Sequence, residues 1–282
     1  MPYFLLSVRR AHLVQDALNS LAMADDLTLK KPLKVSFDNE EGIDEGGVRK
    51  EFFQLIITQL LAPEYALFVH SNDGGRTLWL NKGNEWSPAE EWYTNSIFIL
   101  CNKNNSVSVN NILYCYKREL LGKLLGLAVY NGVLLDLHLP VVLYKKLLGL
   151  PVGFDDLMSL DPSLHAGLKQ LLEYEPAEEV EEIFFRTFEY EWEDLGLVRK
   201  VQLIPNGSSC PVTHTNRAEY VHLLSKWLLV DSLDLQFKHL LAGFHRVVHA
   251  SALSLLRADE LELLMAGLPH LNFHELQVNE NS

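Results

Sequence analysis

The sequence predicts an α+β protein, mostly helical with small β elements. Two observations carry this. Several stretches repeat apolar residues every three or four positions, the mark of amphipathic helices. Between them lie short runs of alternating apolar and polar residues bounded by Gly, Asn, Asp and Pro, the mark of small strands and turns.

Taken in order, Leu13, Val14, Ala17, Leu18 and Leu21 share a helical face. Leu33 to Asp38 alternates and reads as a strand. Glu40 to Gly47 is a turn, and Val48 to Leu61 a helix with Phe52, Phe53, Leu55, Ile56 and Leu60 inward, stopped by Pro63. Tyr65 to Leu80 reads as short strands around the Asn72-Asp73-Gly74-Gly75 turn. Leu120 to Tyr130 is an apolar helix ended by Asn131-Gly132, and Pro140 opens another over Val141 to Leu148. Asp161-Pro162 starts a helix reaching about Tyr174. Ile183 to Tyr190 and Arg199 to Ile204 read as two strands joined near Gly196. Helices follow over Arg217 to Val230 and Asp231 to Val248, and a last short one ends at Gly267.

Composition narrows the function. Hydrophobic residues make up 48% of 282, enough for a substantial core. The net charge of −13, with no long basic run, argues against nucleic acid or an anionic membrane as partner. No apolar run approaches a membrane span, and Met1 to Leu6, followed at once by Arg9-Arg10, is too short for a signal peptide. Cys101, Cys115 and Cys210 are too scattered for a disulfide framework and fit a reducing compartment, so a cytoplasmic location is expected. Gly42 to Gly47 lacks the lysine-hydroxyl pair of a phosphate loop and reads as a tight turn. His245 and His249, like His270 and His274, are four apart, but the glutamate of a metalloprotease helix is missing; no metal is expected. There is no Gly-x-Ser-x-Gly elbow.

Two segments stand out. Residues 173 to 194 contain ten acids against Arg186 alone, interleaved with Val180, Ile183, Phe184, Phe185, Phe188, Tyr190 and Trp192. One short hairpin cannot bury all seven, so some are expected to face a partner, with the acidic rim steering a basic protein. Residues 95 to 117 hold six asparagines, two of the three cysteines and no acid. They read as a polar surface loop, or as an insertion whose bias is that of translated AT-rich non-coding sequence.

Several motifs resemble one family. They are Arg9-Arg10 with Asp16-Ala17-Leu18, Lys31 to Val35, Glu40-Glu41-Gly42-Ile43-Asp44-Glu45-Gly46-Gly47-Val48-Arg49-Lys50-Glu51-Phe52-Phe53, Gly126 to Asn131, Leu171-Leu172-Glu173-Tyr174, Asn216 to Tyr220, Gly243-Phe244 and Glu260-Leu261-Glu262. Together they resemble the HECT domain of ubiquitin ligases, specifically its N-terminal lobe. Asp136-Leu137-His138 with Leu143 to Leu148 looks most like the HERC subgroup.

The resemblance implies a mostly helical HECT N-lobe. Its large subdomain is expected over about 1–152 and 231–282, with 95–117 as a non-family insertion. Its small subdomain, over about 153–230, would dock a ubiquitin-conjugating enzyme. It further implies that ubiquitin, or a ubiquitin-like protein, passes from that enzyme to a cysteine of a C-lobe, and then to a lysine of a substrate held by domains outside this segment. That cysteine follows a threonine. Cys101, Cys115 and Cys210 follow Leu, Tyr and Ser, so no catalytic residue, metal or cofactor is expected here, and the family cysteine is expected beyond Ser282. The alternative is a non-catalytic module that competes for conjugating enzymes. Carried over residue by residue, the docking groove would use Leu164, Leu168 and Tyr174, then Phe184 on the following strand, and Tyr220 on the next helix. Some branches hold a second ubiquitin through a tyrosine where His70 stands here, so that activity is not carried over.

Overall fold

In a computed structural model, β1 (Phe4–Val8) buries Phe4, Leu6 and Val8 and turns Leu5 and Ser7 outward. The structure describes residues 1–42, 44–65, 67–70, 77–82, 109–194 and 197–267. Helix α1 (Leu13–Met23) and the single turn α2 (Asp26–Leu29) lead back to β2 (Leu33–Phe37). β2 lies parallel to β1 in the register Phe4↔Leu33 to Val8↔Phe37. The apolar face predicted for α1 is buried. Strand β1 was not predicted, because its outward Leu5 is apolar too and hides the alternation.

The turn before α3 (Gly47–Leu60) is built on Asp44, whose buried carboxylate accepts from Val35 N (3.0 Å) and Gly46 N (2.8 Å). Gly46 sits at φ 113°, which a side chain would resist. Glycine here makes a tight turn, as expected from a segment that lacks the lysine-hydroxyl pair of a phosphate loop. β3 (Phe68–His70) and β4 (Leu78–Leu80) pair antiparallel; the Asn72–Gly75 turn lies outside the described residues.

Helix α4 (Val109–Asn131) begins eleven residues before the predicted Leu120. Residues 95–108 lie outside the described residues. Helix α10 (Asp234–Val247) crosses α4 at very short range, through Gly122 and Gly126 on one side and Gly243 on the other. At the crossing Leu240, Phe244 and Val247 are buried. Helix α5 (Val141–Leu147) packs on the last described helix, α12 (Ala258–Ala266), which follows the short α11 (Ala250–Leu253).

The remaining elements run from α6 (Leu157–Leu160) into α7 (Pro162–Glu173), then α8 (Val180–Phe184), the antiparallel hairpin β5 (Glu189–Asp194) and β6 (Leu197–Gln202), and α9 (Arg217–Leu229), which packs on α7. The strand expected from Ile183 is corrected here. The chain is helical through Phe184, and the strand starts at Glu189. Val180 and Phe184, four apart, point inward, so helical spacing outweighs the β propensity of the run. Among the described residues, no helix is long and apolar enough to cross a membrane.

Candidate functional site

Helix α7 is fixed at both ends. Asp161 caps its start, accepting from Leu164 N at 2.8 Å, with Pro162 in the first turn. At its far end Arg217 donates to the carbonyls of Leu171 (3.1 Å) and Tyr174 (2.8 Å), which the helix cannot satisfy itself. Arg217 therefore ties the start of α9 to the end of α7.

Tyr174 leaves that end and meets Phe184 edge to face, ring centres 5.4 Å apart. Its hydroxyl lies 3.2 Å from Glu179 Oε2. Phe185 follows at φ 45°, unusual for a bulky side chain. It is 85% exposed, and Ile183 beside it is 55% exposed. Glu178, Glu179, Glu181 and Glu182, in the same stretch of chain, are exposed too. Exposed apolar residues interspersed with exposed acids agree with the composition of this stretch.

The other apolar residues of the stretch are held by the protein itself. Val180 and Phe188 are buried. Tyr190 and Trp192 pack on Trp227 of α9, at 5.5 and 4.8 Å between ring centres, and Lys82 Nζ lies 4.6 Å over the Trp227 ring. On the opposite face of the hairpin Lys200 pairs with Glu189 at 3.4 Å and with Glu191.

The five residues carried over from the resemblance do not form one surface. Tyr174 and Phe184 touch, Phe184 from a helix and not from the expected strand. Leu164 is half-buried and lines a cavity of about 500 Å³ with Trp79, Leu157, Leu160, Tyr190 and Trp192. Ten residues of helical rise, roughly 15 Å, separate it from Tyr174. Leu168 is buried. Tyr220 is fully buried, its ring edge-on to Phe188 at 5.5 Å. Burial raises the pKa of its hydroxyl, with the Arg186 cation opposing. As the chain stands, Tyr220 is core and not groove surface, because Phe188 and the neighbouring helix close over it. Ile183 and Phe185 are not among the residues that the resemblance carries over. Placing Val180 and Phe184 on one helical face would have turned both outward.

Cys210, at the end of the turn that follows Asn206-Gly207, is half-buried. Among the described residues, no three of His, Cys, Asp and Glu are grouped to hold a metal ion. His270, His274 and Cys101 lie outside the described residues.

Comparison with known proteins places this geometry. A family model described as HECT-domain (ubiquitin-transferase) matches residues 54–281. The probable E3 ubiquitin-protein ligase HECTD2 of Mus musculus is 39% identical, over 98% of this chain and 34% of that protein. The probable E3 ubiquitin-protein ligase HERC3 of Homo sapiens is 36% identical, over 98% of this chain and 24% of that protein. The E3 ubiquitin-protein ligase TOM1-like of Neurospora crassa is 34% identical, over 99% of this chain and 6% of that protein. The chain thus spans about a third or less of the length of the curated relatives it matches. The match to the family model covers most of the chain, the relatives align along nearly all of it, and so the chain belongs to the HECT-domain family of ubiquitin transferases.

Proposed function

We propose that this segment serves a HECT-type E3 ubiquitin-protein ligase by holding a ubiquitin-conjugating enzyme, so that ubiquitin passes to a C-lobe cysteine and from there to a substrate lysine. Residues 1–152 and 231–282 act as the large subdomain and 153–230 as the docking subdomain. The role is one of proximity: a docked donor makes transfer effectively intramolecular. The observation that carries the reading is the exposure of Ile183 and Phe185 on either side of Phe184, which meets Tyr174, in a stretch whose glutamates 178, 179, 181 and 182 are also exposed. Aromatic anchors at the centre of an interface dominate binding, and charged rims steer the approach.

Titration of purified conjugating enzymes against the wild-type chain and Phe185→Ala, Ile183→Ala and Tyr174→Ala tests it. Each change should weaken binding by roughly 1–3 kcal/mol, as truncated interface anchors do. Unchanged affinity in all three, with the fold intact, would remove this surface from the docking site. Because none of the three cysteines follows a threonine, incubation with charged conjugating enzyme should leave no reducible ubiquitin adduct on this chain. The same cysteine contexts favour a second reading, a non-catalytic binder that competes for conjugating enzymes. It predicts that added chain inhibits an intact HECT ligase in proportion to enzyme captured.

A further inference from the structure

Among the described residues, strand β1 is paired on one side only. Phe4 N donates to Pro32 O at 3.0 Å, and Asp38 N to Val8 O at 2.9 Å. Successive residues of a strand aim their N–H and C=O at opposite edges. Phe4, Leu6 and Val8 therefore serve the ladder with β2, while the main-chain groups of Leu5 and Ser7 point to the other edge. Among the described residues, no hydrogen bond of those four groups occurs.

The far edge of β2 contrasts with this. Leu33 N donates to Asn131 Oδ1 (2.8 Å), Val35 N to Asp44 Oδ2 (3.0 Å), and Leu33 O accepts from Arg49 Nη1 (3.0 Å). One edge of the sheet is closed by side chains reaching in from elsewhere. The other is left open.

Open edges are ordinarily blunted by charge, proline or a bulge, because they template pairing with another chain. Between Tyr3 and Val8 none of these occurs. The outward face of β1 instead shows Leu5, 56% exposed, and Tyr3, 42% exposed. Alternating free donors and acceptors beside alternate apolar side chains fit one kind of occupant. A helix satisfies its own main chain and cannot use them; an extended strand can.

We infer that β1 is a strand-addition site, taking an extended segment of another protein whose alternate residues are apolar and pack on Tyr3 and Leu5. A second copy of this chain is the weaker occupant, since two chains of net charge −13 repel. This inference does not rest on the conjugating-enzyme reading, which concerns α7 and α8.

Amide hydrogen exchange reads the ladder residue by residue. In the free protein the Leu5 and Ser7 amides should exchange at least tenfold faster than those of Leu6 and Val8. A capped hexapeptide of alternating valine and threonine, titrated to several millimolar, should slow Leu5 and Ser7 at least fivefold and leave Leu6 and Val8 unchanged. The same peptide N-methylated at alternate residues should lose the effect. Ser7→Pro should abolish it too, and retained protection of Leu6 and Val8 would show that the β1–β2 ladder survives. Absence of protection at millimolar peptide, or equal protection by the N-methylated peptide, would overturn the inference. Protection that rises with protein concentration alone would mark self-pairing and overturn the choice of partner.

Discussion

Gly243→Ala tests the α4–α10 crossing directly. A Cβ built on Gly243 falls 1.9 Å from Glu119 O, 2.8 Å from Glu119 C and 3.0 Å from Lys123 N. All three are backbone atoms of a long helix, so no side chain can rotate away. Ordinary contact begins near 3.4 Å, so the helices would have to part locally by about 1.5 Å. A gap of 0.5–1 Å already forfeits about a quarter to a half of a contact's dispersion energy. The residues losing it are those that close on the glycines of α4, the buried Leu240, Phe244 and Val247. Overpacking ordinarily costs about 1–3 kcal/mol, and an unyielding backbone puts this case at or above about 3 kcal/mol. That loss comes despite the roughly 1 kcal/mol by which alanine favours a helix over glycine. Urea unfolding should show a lower midpoint with an unchanged slope. Gly167 on α7 is the control: nothing lies within 4 Å of its built Cβ, so Gly167→Ala should stabilise by about 0.5–1 kcal/mol. A loss under about 1 kcal/mol for Gly243→Ala, or a matching loss at Gly167, would refute the reasoning.

Three further outcomes follow from the packing and the charges. Tyr220→Ala should cost roughly 3–5 kcal/mol of folding stability, as truncation of buried aromatics does, so any lost docking should track unfolding; lost docking in a fully stable variant would return Tyr220 to the surface. Replacing Glu178, Glu181 and Glu182 by glutamine should slow association with a basic partner and flatten its salt dependence; stopped-flow data showing a change confined to dissociation would contradict steering. Lys146 donates to Leu229 O at 2.5 Å and lies 4.1 Å over the Phe237 ring; burial lowers its pKa to about 8, against the pull of Asp234 and Asp231. The unfolded chain keeps that proton to a higher pH and so binds more protons above pH 8. Stability should therefore rise from pH 8 to about 9, below the range in which the tyrosines of the unfolded chain lose their protons. Lys146→Met should flatten that rise in denaturant midpoints; an unaltered slope would show that this lysine is not its source.

The sequence by itself determined most of the longer helices, several of their ends and the family. Helical spacing in α1, α3 and α10, the Asp161-Pro162 start and the Gly132 and Gly267 stops are local signals, set by backbone sterics and side-chain period within a few residues. The continuous motif from Glu40 to Phe53 carried the resemblance, because its turn needs Asp44 and Gly46 as they stand. Only the tertiary structure decided burial between Pro162 and Leu229. Tyr220 is core because Phe188, thirty-two positions away, closes on it, while Ile183 and Phe185 are exposed because a short helix spends its inward positions on Val180 and Phe184. The parallel pairing of β1 with β2 and its open edge were equally out of reach, since a strand's partner lies across a crossover. Period and capping are local and can be read along the chain. Which face meets water depends on residues far away in sequence, and only the packed fold brings them together.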